Sequence, residues 1–139
     1  MILILEERVA LIRRVHPDSA DYVFPGGGVE YGEMVEEAAR REAHEELGLE
    51  VRLDHLVAIV EHRGAQQYYY AASITGGTLG TGTGAELGLS VSSGRGSYMP
   101  VWIGINHLLM NDVRPRAVAH AISARSLESQ RAPLRIVES

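Results

Sequence analysis

The sequence predicts an α/β/α sandwich with a mixed β-sheet, one helix in the middle of the chain and one near its end. Three observations carry this reading. Short strand-like runs flank a stretch, Met34 to Leu47, that holds no Gly and no Pro and is rich in strong helix formers. A second helical stretch opens at Pro115, where proline suits the first turn. The 139 residues, 45% hydrophobic and 22% charged, are enough for one domain with a single real core.

Taken in order, Ile2 to Leu5 and Val9 to Val15 read as strands of an antiparallel hairpin, split by a turn at Glu6-Glu7. His16 to Asp21 (HPDSAD) reads as a polar, turn-rich loop. Tyr22 to Phe24 is a short strand running into Pro25 and three glycines, Gly26, Gly27 and Gly28. Glycine is the residue a backbone uses where it must pass close to a ligand. The helix from Met34 to Leu47 stops at Gly48, where a left-handed C-cap belongs. Glu50 to Leu53, Leu56 to Arg63 and Gln67 to Ile74 read as three further strands, with a turn at Gly64. In the last of them Tyr69 points opposite to Tyr68 and Tyr70, so one side faces the core; stacking of the other on a base is the weaker reading. Thr75 to Ser97 carries eight glycines in 23 residues, a composition that marks either a functional loop or disorder. Met99 to Ile105 is a strand with the only Trp, Leu108 to Met110 a short turn or helix, and the final helix runs to about Arg125. Residues 127–139 read as a tail in which Leu134 to Val137 can add an edge strand. The whole chain, 1–139, is thus one domain without internal repeats.

Composition excludes several classes. There is no cysteine, hence no disulfide framework and no thiolate catalysis. All thirteen basic residues are Arg, which rules out a phosphate-loop lysine or a Schiff base. A net charge of −5 disfavours a general nucleic-acid surface. The opening MILILEERV has too short an apolar run for a signal peptide and no basic start, and no stretch approaches the length of a membrane span. The expectation is a cytoplasmic protein with no membrane or nucleic-acid partner; a homodimer is left open. GTGTGA at Gly80 to Ala85 fits a dinucleotide fingerprint only on paper, since no helical period follows it. His44-Glu45-Glu46-Leu47 begins like a zinc-protease helix, but the second His would fall on Gly48.

The middle helix carries the chemistry. At 100° per residue, Glu42 and Glu46 share a stripe with Val35, Ala38 and Ala39, and Glu45 sits at its edge. Glu37, Arg40 and His44 lie on the other side. Three acids on an inward stripe repel one another and are costly to bury unless a positive charge joins them. Hard divalent cations, which take oxygen ligands, are one answer. A solvated Glu-rich helix paired with Arg40 and Arg41 is the other, and the phase alone leaves both open.

Gly27, Glu33, Arg41, Glu42, Glu45, Glu46 and Gly48, with Ala43 and Leu49 in the two hydrophobic places, stand at the spacing of the Nudix box. The chain from Gly27 to Leu49 therefore resembles the Nudix hydrolases, the MutT-like family. Phe24-Pro25-Gly26-Gly27-Gly28 and Glu30 add to the likeness. One departure is Met34, where the family often has Thr or Ser; Met cannot cap the helix, at a cost of about 1 kcal/mol. The resemblance implies the Nudix-type α/β/α sandwich and Mg²⁺-dependent hydrolysis of a small nucleotide, a nucleoside diphosphate linked to another group, with Mn²⁺ able to substitute. It implies metal ligands in Glu42, Glu45, Glu46 and the carbonyl of Gly26, and a pairing of Arg41 with Glu33. The general base is a box glutamate or an outside carboxylate, Glu86 or Glu61. Glu86 is the only acid in the glycine-rich run from Gly76 to Gly96, which is expected to act as a flap over the substrate.

Substrate markers are sparse. Gly64 to Gln67 lacks the Pro of some ADP-ribose hydrolases and the Tyr of some dinucleoside polyphosphate hydrolases, though Tyr68 is adjacent. Arg116 stands where the branch acting on oxidised nucleoside triphosphates often has Asn. Two rivals are a Nudix fold kept as a nucleotide sensor without catalysis, and an RNA 5′-end pyrophosphohydrolase. The intact set of box glutamates speaks against the first, and the net charge against the second.

Overall fold

The structure, a computed structural model, describes residues 1–26, 29–80 and 97–138. Two hairpins lead the chain into the sheet. β1 (Ile2–Leu5) and β2 (Arg8–His16) meet through Glu6 and Glu7, both at positive φ, the hand that matches the twist of paired strands. β2 then pairs antiparallel with β3 (Ser19–Val23), from His16 opposite Ser19 to Ile12 opposite Val23. The stretch HPDSAD is therefore not a loop. Its last three residues are strand, and only Pro17-Asp18 turns, because pairing with β2 outweighs the polar composition.

The middle helix begins as α1 (Val35–Glu42). Met34 stands at its N-cap without a side-chain hydrogen bond, and Glu36 and Glu37 complement the helix dipole in its first turn. From Ala43 to Leu47 the helix widens into a π-turn, and it ends at Gly48 with φ 78°. An α-helical count to Leu47 misses that widening.

β4 (Leu49–His62) is one continuous strand rather than two, since three register shifts absorb the irregular centre around Asp54. It pairs antiparallel with β5 (Ala65–Gly77) and parallel with β8 (Leu134–Glu138), so the far end of the chain does add an edge strand. β6 (Ser97–Gly104) lies antiparallel along the other edge of β2. A 3₁₀ stretch (Ile105–Met110), β7 (Val113–Arg114), α2 (Arg116–Ser123) and a 3₁₀ turn (Ser126–Glu128) complete the order. β7 runs parallel to β3. The central path is β7-β3-β2-β1-β5-β4-β8, a mixed sheet.

Strand alternation splits the core between the two faces. Ile2, Val9 and Leu11 join Val57, Val60, Val118 and Ile122 beneath α2. Leu3, Ala10 and Ile12 join Ala43, Leu47, Leu49 and Val51 beneath the middle helix. This is the α/β/α arrangement the sequence predicts. Among the described residues no helix is long and apolar enough to cross a membrane.

Candidate active site

Arg41 organises the acidic cluster. Its Nε and Nη2 donate to the two carboxylate oxygens of Glu33 at 2.8 and 3.1 Å, and its Nη1 donates to Glu42 at 2.8 Å and Glu45 at 3.2 Å. Glu30 lies 3.6 Å from the same Nη1. Such a side-on, bidentate contact is the strongest form of carboxylate pairing. It holds the Glu33 carboxyl below the usual carboxylate range, first through Arg41 and then through the backbone N–H of Glu30. The same contacts raise the Arg41 pKa further, Glu33 first. Glu33 also closes the turn before α1, accepting from the Glu30 N–H at 2.9 Å. One guanidinium thus ties the loop, the helix and the π-turn together.

Glu46 reaches back to the loop, its Oε2 accepting from the Gly26 N–H at 3.2 Å. The inward stripe is partly as counted: Ala38 is buried and the Glu42 side chain is 14% exposed, whereas Glu37, Arg40 and His44 are exposed. Val35 departs from it at 43% exposure. Among the described residues no three acidic or imidazole side chains are grouped so as to hold a metal ion. Glu42 and Glu45, with Glu30 behind them, converge instead on the cationic Arg41 Nη1.

The cluster borders a cleft of about 660 Å³. Glu42 and Gly26 line it on one side. Phe24, Tyr68, Tyr69, Tyr70, Arg14 and Arg114 line it too. Phe24 and Tyr69 meet edge to face, with centroids 6.0 Å apart. Burial, and then the negative charge of Glu138, push the Tyr69 hydroxyl up to about 12, so it stays neutral and donates to Gln67.

Not every expected site residue is among those that line the cleft. Glu61 sits in β4 and does not line the cleft. Glu86, Gly27 and the glycine-rich run over residues 81–96 lie outside the described residues. Arg116 does not reach the cleft either; it donates to the carbonyls of Leu109 and Asn111. Arg14, Arg114 and Glu138 do line it, and nothing local in the sequence marks them. Only the registers of β2, β7 and β8 bring them to one place.

Comparison with known proteins agrees with this architecture. The sequence profile of the NUDIX domain matches residues 1–81. A NUDIX hydrolase from Nitrosomonas europaea shares the fold at a TM-score of 0.72 and 19% identity, over 99% of this chain and 74% of that one. An ADP-ribose pyrophosphatase from Streptococcus suis 89-1591 does so at 0.66 and 14%, over 99% and 94%. The E. coli ORF135 protein does so at 0.64 and 24%, over 94% and 88%. No curated protein matches the sequence. With more than half its length matched by the domain profile, and with Glu33, Glu42 and Glu45 of the box gathered by Arg41 beside an open cleft, this chain belongs to the Nudix family, hydrolases of phosphoanhydride bonds that generally work with divalent metal ions.

Proposed function

We propose that the protein is a Mg²⁺-dependent pyrophosphohydrolase acting on a small nucleoside diphosphate linked to another group, with Mn²⁺ able to substitute. The observation that carries this is the convergence of Glu42 and Glu45 on a single cation, Arg41 Nη1, beside a cleft that Glu42 itself lines. The donor chemistry, carboxylates on one helix stretch with Glu46 reaching the Gly26 loop, is of the kind a hard divalent ion takes, and Glu42 and Glu45 would turn from Arg41 to bind it. Glu42, Glu45 and Glu46 would hold the metal, with the Gly26 carbonyl added by family analogy. A bound ion supplies charge neutralisation of the diphosphate and lowers the pKa of a water.

The chain's own part is placement. Arg41, clamped by Glu33, fixes the loop against the helix, so the carboxylates are set before substrate arrives. The tyrosines at the cleft, of which Tyr68 is the most exposed, offer flat apolar surface to a base, with Phe24 and Tyr69 packed behind them. Phosphoryl transfer asks for little covalent chemistry, so positioning and charge carry the rate. The water's proton goes to a carboxylate. The outside candidates are Glu86 and Glu61; Glu61 pairs across β4 and β5 with Gln66, which lines the cleft.

The test is a panel of nucleoside triphosphates and diphosphate-linked nucleosides assayed with Mg²⁺, with Mn²⁺ and with chelator. Metal-dependent release of a mononucleotide from at least one compound is expected. Absence of turnover on the whole panel would leave the fold without this activity.

A further inference from the structure

Asp21 is the one buried charged residue among the described residues, its side chain 7% exposed, and it belongs to no part of the catalytic cluster. It is there to hold an arginine. Arg14 Nε donates to Asp21 Oδ1 at 2.8 Å and Arg14 Nη2 to Oδ2 at 2.7 Å. That side-on contact uses Nε–H and one of the two Nη2–H groups. Left over is the end-on fork, both Nη1–H groups and the second Nη2–H, on a side chain that lines the cleft and is 29% exposed. Arg114 reinforces the arrangement, its Nη1 lying 3.3 Å from the same Asp21 oxygen while Asp112 takes its Nε and Nη2. β2, β3 and β7 are adjacent in the sheet, so the cluster stands on paired strands rather than on loops. A side chain oriented by a buried partner on rigid elements is how a recognition group is preorganised.

The cleft therefore offers two things together: aromatic side chains, and a fork of Arg14 donors that has no acceptor among the described residues. From this juxtaposition we infer that Arg14 reads the base of the substrate and selects a base that presents two acceptors side by side. Guanine does so through O6 and N7, and cytosine through O2 and N3; adenine and uracil alternate donor and acceptor along every such edge and cannot satisfy the fork. Asp21 is a positioning residue in this reading, acting through Arg14. The inference rests on the proposed nucleotide hydrolysis for its biological sense, but not for its test.

The test is equilibrium binding of GMP, CMP, AMP and UMP, which share phosphate and sugar class and differ in the base, to the full chain without metal. GMP, CMP or both should bind about tenfold tighter than AMP and UMP, and the GMP and CMP arms separate the two sources. Arg14→Lys keeps the charge but loses the fork, and should bring all four within about twofold of one another. Asp21→Asn, which loosens Arg14, should move GMP and CMP binding toward that of AMP and UMP. Equal binding of the four by the unaltered protein, or a preference that survives Arg14→Lys, overturns the inference. A preference for GMP or CMP in a protein that hydrolyses nothing would leave base reading intact and refute the hydrolase instead.

Discussion

At the scale of single residues, charge placement decides both chemistry and acid stability. Glu42 and Glu46 differ from ordinary helix glutamates in that one lines the cleft and the other bonds to the Gly26 loop. Glu42→Gln or Glu46→Gln keeps the shape and removes a negative charge from the metal-holding set. Turnover should fall by at least about 10²-fold with an unchanged circular dichroism spectrum; near-normal turnover in either variant would remove the metal-helix mechanism. Asp21 gives a second prediction. Arg14 hydrogen bonds hold its carboxyl below the ordinary range despite burial. The folded protein therefore takes up this proton at lower pH than the unfolded chain, whose value is about 3.9. The stability that Asp21 contributes is fully present above that value and is lost as pH falls through the lower, folded one. Asp21→Asn should cost about 1–3 kcal/mol at pH 7 and lower the Tm by about 5 °C or more. It should also flatten the slope of Tm against pH below about 4. An unchanged slope would mean that Asp21 is not the group that titrates there.

At the scale of elements, the helix end and the end of β5 are fitted to each other. Gly48 closes the π-turn in the left-handed region, and Leu49 at the start of β4 pairs with Gly77. A Cβ at Gly77, φ 86°, would stand 2.2 Å from the Gly48 carbonyl oxygen and 3.0 Å from the Leu49 Cα, both backbone atoms that cannot step aside cheaply. Gly64 has a similar φ of 82°, yet a Cβ there meets nothing within 4 Å. Gly77→Ala should thus destabilise by about 3 kcal/mol or more, while Gly64→Ala costs only the left-handed strain of about 1 kcal/mol. Denaturant melts of the two variants compare them directly, and equal midpoints would contradict the contact. Because the π-turn also carries Glu45 and Glu46, Gly77→Ala should lower turnover beyond its effect on stability.

At the scale of the whole molecule, the sheet divides the labour. One face buries α2 and the other buries the middle helix, so the acidic cluster rests on a core of its own that includes Ala43, Leu47 and Leu49. A divalent ion that binds only this folded arrangement must stabilise it by mass action, by about 2.7 kcal/mol at a hundredfold excess over Kd. Millimolar Mg²⁺ or Mn²⁺ should raise the Tm by several degrees, and Glu46→Gln should abolish most of that rise. Thermal melts with and without chelator check it; indifference to every divalent ion would favour a helix whose acids are satisfied by Arg41 alone.

The sequence by itself determined what is encoded at short range. The box from Gly27 to Leu49, the helix with its glycine stop and the Arg41–Glu33 pairing all depend on residues within one loop and one helix. Helical phase and cap chemistry are local, so spacing is enough to find them. Strand bounds were less legible. Polar Ser19 to Asp21 became strand because β2 was there to pair with, and bulges let β4 run through Asp54. Only the tertiary structure decided the cleft. Arg14, Tyr69, Arg114 and Glu138 come from four strands far apart in the chain, and each is an ordinary strand residue in its own neighbourhood. They share a site because parallel pairing carries β7 to β3 and β8 to β4, a long-range register that no local pattern of residues specifies.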